Sequence, residues 1–265
     1  MTEKQAGTNI SLQFMGDAQE IAVIHLTRPS KRNAINDALM ADIRSVFETM
    51  PSTVRAAVIA GEGDHFCAGL DLSELQERDA GQGLMHSRSW TVALDRVEFG
   101  PVPVIAALHG AVVGGGLELA TSCHIRVADA TTFYALPEGS RGIFVGGGGS
   151  VRIPKLMGAS RMADMMFTGR VYDAAEGERV GLSQYLVPKG QAFEKALELA
   201  KRIAQNAPLT NYALMHALPR IAEQSADHGF FTESMMAAIA QSAPEAKARV
   251  KAFLDGKADK VRAKK

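Results

Sequence analysis

A surplus of charge is the first thing this chain lacks. Lys and Arg together number 29 and so do Asp and Glu, so the formal net charge is zero. A general nucleic-acid binder needs a basic excess to displace counterions, so no nucleic-acid partner is expected. Long apolar runs are missing too. None reaches the roughly 18–20 residues that span a bilayer, and the opening MTEKQAGTNI carries no apolar signal-peptide core, so no membrane association is expected. Cysteine is scarce. Cys67 and Cys123 sit among small and apolar neighbours, which reads as a reduced pair in a cytoplasmic protein rather than a disulfide framework. There is no CxxC or HExxH, and the seven histidines are scattered without ligand spacing, so no metal site is expected. Low-complexity tracts and Gly/Ser linkers are also missing.

The sequence does show alternation. Strand-like runs rich in apolar and β-branched residues occupy 11–15, 21–27, 55–60, 102–108, 125–128 and 132–135. Between them lie helical patterns, such as 37–50, where Leu39, Ile43, Val46 and Phe47 recur at helical spacing. Strands alternating with helices point to an α/β fold with a largely parallel sheet. Past Pro188 the pattern turns wholly helical. Phe193, Ala196, Leu197, Ala200, Ile203 and Ala204 share one face, and Pro208, Pro219 and Pro244 punctuate the remainder of the chain. The chain therefore divides into a body, 1–190, and a helical region, 191–265, joined without a flexible linker.

Two glycine-bearing segments each succeed a strand-like run and open a helix. They are HFCAGLD (65–71) and GAVVGGGLELA (110–120). Small residues there let a ligand approach bare backbone N–H groups at a helix start, where the dipole favours negative charge. Two such turns aimed at one point make an oxyanion hole; the alternative for each is a tight turn with no ligand. Neither fits GxGxxG or a phosphate loop. Glu118 falls on the first turn of the helix opened by Gly114, Gly115 and Gly116, where the dipole stabilises a carboxylate. Glu138, in YALPEG (134–139), is fixed by Pro137 and released by Gly139; beside apolar groups it acts as an acid, and otherwise it is a solvated loop carboxylate.

In order and spacing, residues 65–71, 110–120 and 136–139 resemble the active-site segments of the crotonase (enoyl-CoA hydratase/isomerase) superfamily. TRPSKRNAIN (27–36) and PVPVIAALHG (101–110) resemble its early loop and the strand leading to its second oxyanion turn. The resemblance runs from about residue 10 to 255. It implies a spiral of ββα repeats with a C-terminal helical region used for oligomerisation and active-site cover, assembled as a homotrimer or a hexamer of two trimers. The ligand implied is an acyl-CoA, with coenzyme A as part of the substrate and no separate cofactor. Carried over by position, the N–H groups of Ala68 and Gly115 form the oxyanion hole, and Glu118 and Glu138 are the two catalytic glutamates of the hydratase branch. Arg32, Ala34, Ala68, Gly69, Leu70 and Asp71 hold the CoA nucleotide and pantetheine. Phe253 matches an aromatic sent across a subunit contact towards the adenine, although the basic residue that usually comes shortly after it is displaced to Lys257.

The fold alone does not choose the reaction. Isomerases of the family commonly rely on one glutamate, and the Asp/His pair of the dehalogenases has no counterpart at matching positions. Two glutamates favour a hydratase, with Glu118 the better base and Glu138 the better acid, in a pair whose titrations are coupled. An isomerase, a thioester hydrolase and a non-catalytic binding protein are the alternatives. Residues 74–79, 86–90, 134–150 and 205–210 resemble more narrowly the methylthioacryloyl-CoA hydratases, a group that releases methanethiol and acetaldehyde in dimethylsulfoniopropionate breakdown. His86 and Trp90 lie on a segment, 82–99, that overlies the acyl group in the family; a surface histidine and a packed tryptophan are the plainer reading. The four consecutive glycines 146–149 read as a closely packed helix start.

Overall fold

A computed structural model describes residues 3–5, 9–74 and 76–257. The side chain of Glu74 and all of Leu75, inside the segment 74–79 singled out above, lie outside the described residues, as do 258–265. Two compact units divide the chain after Ala204.

The first unit is built on a seven-stranded sheet and a three-stranded one. The strands are β1 (Glu3–Gln5), β2 (Ile10–Met15), β3 (Ile21–Leu26), β4 (Ala56–Gly61), β5 (Val104–Leu108), β6 (Ala111–Val113), β7 (Ile125–Asp129), β8 (Phe133–Ala135), β9 (Tyr172–Asp173) and β10 (Tyr185–Val187). The large sheet runs β1-β2-β3-β4-β5-β7-β10, antiparallel as far as β3 and parallel from there on. The small sheet runs β6-β8-β9. The helices of this unit are α1 (Asp37–Glu48), α2 (Ala80–Glu98), α3 (Gly115–Ser122), α4 (Gly149–Met157), α5 (Ala159–Thr168), α6 (Ala174–Val180) and α7 (Ala192–Ala204).

Strand residues alternate between two buried faces, as a sheet covered on both sides requires. Ala22, Ile24, Ala57, Ile59, Val104, Ala106 and Leu108 face the larger core with Leu39, Ile43 and Phe47 of α1 and Leu94 and Val97 of α2. Ile21, Val23, Val58, Ile105 and Val127 face a second core closed by Ala192, Ala196, Leu199 and Ala200 of α7. The boundary expected after residue 190 is therefore corrected. Without α7 one face of the sheet would be bare, so that helix belongs to the body, and the division falls after Ala204.

The second unit contains α8 (Pro208–His216), α9 (Leu218–Ile221), α10 (Ala226–Ser242) and α11 (Pro244–Leu254). Pro208, Pro219 and Pro244 each occupy the first or second helical position, where the missing N–H costs nothing. The punctuating prolines thus open helices rather than bend them. Among the described residues no helix is long and apolar enough to cross a membrane.

Candidate active site

After β4 the chain runs alongside β6. Phe66 N–H donates to His109 O at 2.8 Å, Cys67 N–H to Ala111 O at 2.9 Å, and Val113 N–H to Cys67 O at 3.1 Å. Gly69 then turns at φ +92°, where a Cβ would lie 2.7 Å from Val113 O. Glycine is therefore required both by conformation and by space. On the other flank, Ile35 N–H donates to Gly69 O at 2.7 Å and Asp71 N–H to Ile35 O at 2.8 Å.

This clamp corrects one assignment. Ala68 N–H donates to Arg32 O at 3.0 Å, so it has no capacity left for a thioester oxygen. The free amide is two residues on, at Leu70. Neither Leu70 N–H nor Gly115 N–H has an acceptor among the described residues. The two amides are neighbours: a Cβ on Gly115 would be 3.8 Å from Leu70 N, and one on Gly69 would be 3.5 Å from Gly115 N. One uncommitted donor thus opens α3, the other lies beside it in the loop after β4, and both residues line one cavity, the arrangement an oxyanion hole needs.

Glu118, on the first turn of α3, is buried at 3% exposure. Its Oε1 accepts from Gly147 N–H and Gly149 N–H, each at 2.8 Å. A Cβ at Gly149 would sit 2.9 Å from both Cγ and Oε1 of Glu118, and one at Gly147 would sit 3.3 Å from its carboxyl carbon. The consecutive glycines are the closely packed helix start expected of them, since α4 begins at Gly149, and what they pack against is this carboxylate, for which they form a cradle. Arg152, paired with Asp95 at 2.7 Å and Glu98 at 2.5 Å, donates to Gly147 O at 2.9 Å and so fixes the cradle from behind. Burial pushes the Glu118 carboxyl above its ordinary range, against the amides of Gly149, Gly147 and Gly146 and the charge of Arg152. The first turn of α3 is still where the dipole favours a negative charge, but desolvation opposes ionisation and outweighs the amide bonds that favour it.

Glu138 comes after β8 and precedes a 3₁₀ turn at Gly139–Arg141. It is buried at 7% exposure, and its Oε2 has no hydrogen-bond partner among the described residues. Burial raises its pKa, its own backbone N–H opposes this, the like charge of Glu118 raises it further, and Arg141 offsets part of the rise. Both carboxylates line one cavity of about 270 Å³ together with Leu70, Arg78, His86, Trp90, Gly115, Phe144 and Gly146. A larger hollow of about 600 Å³ beside the start of α7 is lined by neither glutamate nor by the two free amides.

The other expected contacts divide. Arg32 is exposed, in left-handed conformation at the end of the 3₁₀ turn Pro29–Lys31. Asp71 is paired with Arg28 at 2.7 Å, and the same guanidinium donates to Ala34 O, so Asp71 and Ala34 are tied into the loop scaffold. Hydrogen bonds from Ser73 and Arg28 hold the Asp71 carboxyl down to about 2. Phe253 stands 61% exposed on α11 of the second unit. His86 and Trp90 line the cavity and are more than surface and packing residues. His86 Nε2 and Trp90 Nε1 both meet Asp37 Oδ1 at 2.8 Å. Burial disfavours ionisation of Asp37, but the bonds from Trp90 and His86 prevail and its pKa is lowered.

The enoyl-CoA hydratase/isomerase family model matches residues 16–260. The chain belongs to that family. The Escherichia coli (strain K12) 2,3-dehydroadipyl-CoA hydratase is 31% identical over 89% of this chain and 92% of its own length. The short-chain-enoyl-CoA hydratase of Clostridium acetobutylicum is 30% identical over 93% and 95%. Among solved structures, a proposed enoyl-CoA hydratase from Rhodopseudomonas palustris CGA009 is 57% identical, covers 97% of this chain and 98% of that one, and has a TM-score of 0.92. The fold is accordingly the crotonase-type α/β fold with C-terminal helices, and family members act on acyl-CoA substrates.

Proposed function

We propose that this protein hydrates a short-chain enoyl-CoA across its 2,3-double bond. The observation that carries the reading is the convergence of two buried carboxylates and two uncommitted amides on one cavity. The thioester oxygen accepts from Leu70 N–H and Gly115 N–H. Glu118 takes a proton from water as its oxygen bonds to C3, and the π electrons move through C2 onto the thioester oxygen. Glu138 then protonates C2 as that enolate collapses. One water has been added, and the two carboxylates exchange protonation states before the next turnover. Burial raises both carboxyls; Glu138, with Oε2 unpartnered among the described residues, is read as the acid, and Glu118, whose charge the glycine amides favour, as the base. Each amide donor is worth about a hundredfold to a thousandfold in rate.

A cavity of about 270 Å³ lies at the small end of ligand pockets and suits a short acyl chain. Within that class the sequence resemblance favours methylthioacryloyl-CoA, with methanethiol and an aldehyde as products. The nucleotide of CoA lies towards the exposed Arg32, and the working assembly is a homotrimer or a pair of trimers in the cytoplasm. Loss of enoyl-thioester absorbance with crotonyl-CoA tests the reaction. Glu118→Gln and Glu138→Gln are each expected to lose about a hundredfold or more in kcat. An enzyme that moves the double bond, and needs only one of the two glutamates, is instead an isomerase.

A further inference from the structure

The two uncommitted amides are only as useful as the segments that aim them. Gly115 N–H is aimed by α3, whose first residue it is. Leu70 N–H lies in the loop after β4 and takes its direction from the neighbouring segment 32–35, which pairs with it in parallel at Ile35 and Leu70. Ile35 N–H donates to Gly69 O at 2.7 Å. The peptide joining Gly69 to Leu70 is planar and trans, so its N–H points away from its C=O and hence away from that segment. What fixes residues 32–35 therefore fixes where Leu70 N–H points. An anchor of that segment is Asn33, fully buried at 0% exposure. Its Oδ1 accepts from Arg28 N–H at 3.0 Å, and its Nδ2 donates to Glu62 O at 2.9 Å and His65 O at 2.8 Å. One carboxamide thus ties the early loop to the stretch leaving β4. Gly61 shows how closely that stretch wraps it: a Cβ there would lie 2.8 Å from Asn33 Nδ2. Arg32 and Asn33 are consecutive left-handed residues, at φ +52° and +54°, a conformation that non-glycine residues keep when their surroundings hold them in it.

We propose that Asn33 is a positioning residue for the reaction: its carboxamide holds the left-handed pair Arg32 and Asn33 against residues 62–65 and so, through Ile35 N–H and Gly69 O, aims Leu70 N–H at the thioester oxygen. Asn33 does not line the cavity, so it acts on the substrate only through the backbone. Without the carboxamide, three bonds are lost, the left-handed pair loses its restraint, and the Gly69–Leu70 peptide is free to turn. Loss of one oxyanion donor costs about a hundredfold to a thousandfold in rate. A donor that is present but misaimed forfeits part of that.

The inference rests on the reading of Leu70 and Gly115 as donors to a thioester oxygen, and the probe is trans,trans-2,4-hexadienoyl-CoA. Its conjugated absorbance moves to longer wavelength when that oxygen accepts hydrogen bonds. At saturation the wild-type protein is expected to show this shift, and separately to hydrate crotonyl-CoA. Asn33→Asp keeps the side-chain size, tolerates the left-handed backbone and still accepts from Arg28 N–H, but sets a carboxylate oxygen against two carbonyls. Asn33→Gly keeps the backbone freedom and removes all three bonds. In variants shown by thermal melting to be folded, the shift at saturation should shrink and kcat on crotonyl-CoA should fall about tenfold or more. A residue that merely braces the loop would lower the melting temperature or the affinity and leave the saturated shift unchanged. That result overturns the inference whatever kcat does, and failure of both variants to fold overturns it too, leaving Asn33 a folding residue. A wild-type protein that shifts the probe without hydrating crotonyl-CoA overturns the hydratase reading alone. One that does not shift the probe overturns the donor reading and this inference with it.

Discussion

At the scale of single residues, Gly149 is a position where one added methyl group reaches a candidate acid–base residue. It is the first residue of α4 and its φ is not positive, so alanine suits its backbone. An alanine Cβ would press on Glu118, however, 2.9 Å from Cγ and Oε1. Gly149→Ala is expected to leave the melting temperature near that of the wild-type protein while kcat falls about tenfold or more, because a misplaced acid–base group loses its geometry. Asp71 behaves in the opposite way. Its carboxyl, held down to about 2, contributes stability that is complete above its ordinary value of 3.8 and is lost as pH falls towards 2. Thermal unfolding of wild-type protein and Asp71→Asn should show a gap that is constant above about pH 5 and narrows below about pH 4. Glu118, Glu138 and Gly115 are legible as candidates because the glycine turns and the acids succeed one another in a fixed order. Leu70, as the free amide in place of Ala68, is not. Which N–H is left over depends on the partners each neighbour finds across two flanking segments, and Arg32 O is remote in sequence from Ala68.

Among the elements, the six strand-like runs read from apolar and β-branched enrichment correspond to β2, β3, β4, β5, β7 and β8. The short β1, β6, β9 and β10 escape such a reading, since two or three residues carry no periodicity, and the equally short β8 is caught by its apolar and β-branched content instead. Helix α7 shows the limit of reading organisation from pattern alone. Its apolar face is plain in the sequence, but which surface that face covers is a tertiary fact, and it moves the boundary to Ala204. Ala196, fully buried beneath it, tests the packing. Ala196→Glu forces a carboxylate between α7 and a sheet face of Ile and Val. It should cost about 3 kcal/mol or more in chemical denaturation, because the carboxylate is taken out of water among apolar side chains.

For the molecule as a whole, the second unit leaves much apolar surface uncovered. Phe230 is 68% exposed and Phe231 67%, and Tyr212, Leu218, Val250 and Leu254 are exposed as well. Apolar surface of this kind marks an association face, and a homotrimer as the repeating assembly is the proposed way of covering it. Light scattering at micromolar concentration should give three or six times the monomer mass; a uniform monomer would refute that assembly. The two cysteines have a further consequence. Burial pushes both thiols up to about 12, and a Cβ on Gly116 would lie 2.9 Å from the Cys67 sulfur, so neither is open to a reagent while the fold is closed. Alkylation therefore proceeds only as fast as the structure opens. Cys67 lies beneath the turn that presents Leu70, and Cys123 ends α3, which presents Gly115 and Glu118. The chain thus carries two native stopwatches for the breathing of its own active site, readable by mass without any label being engineered in.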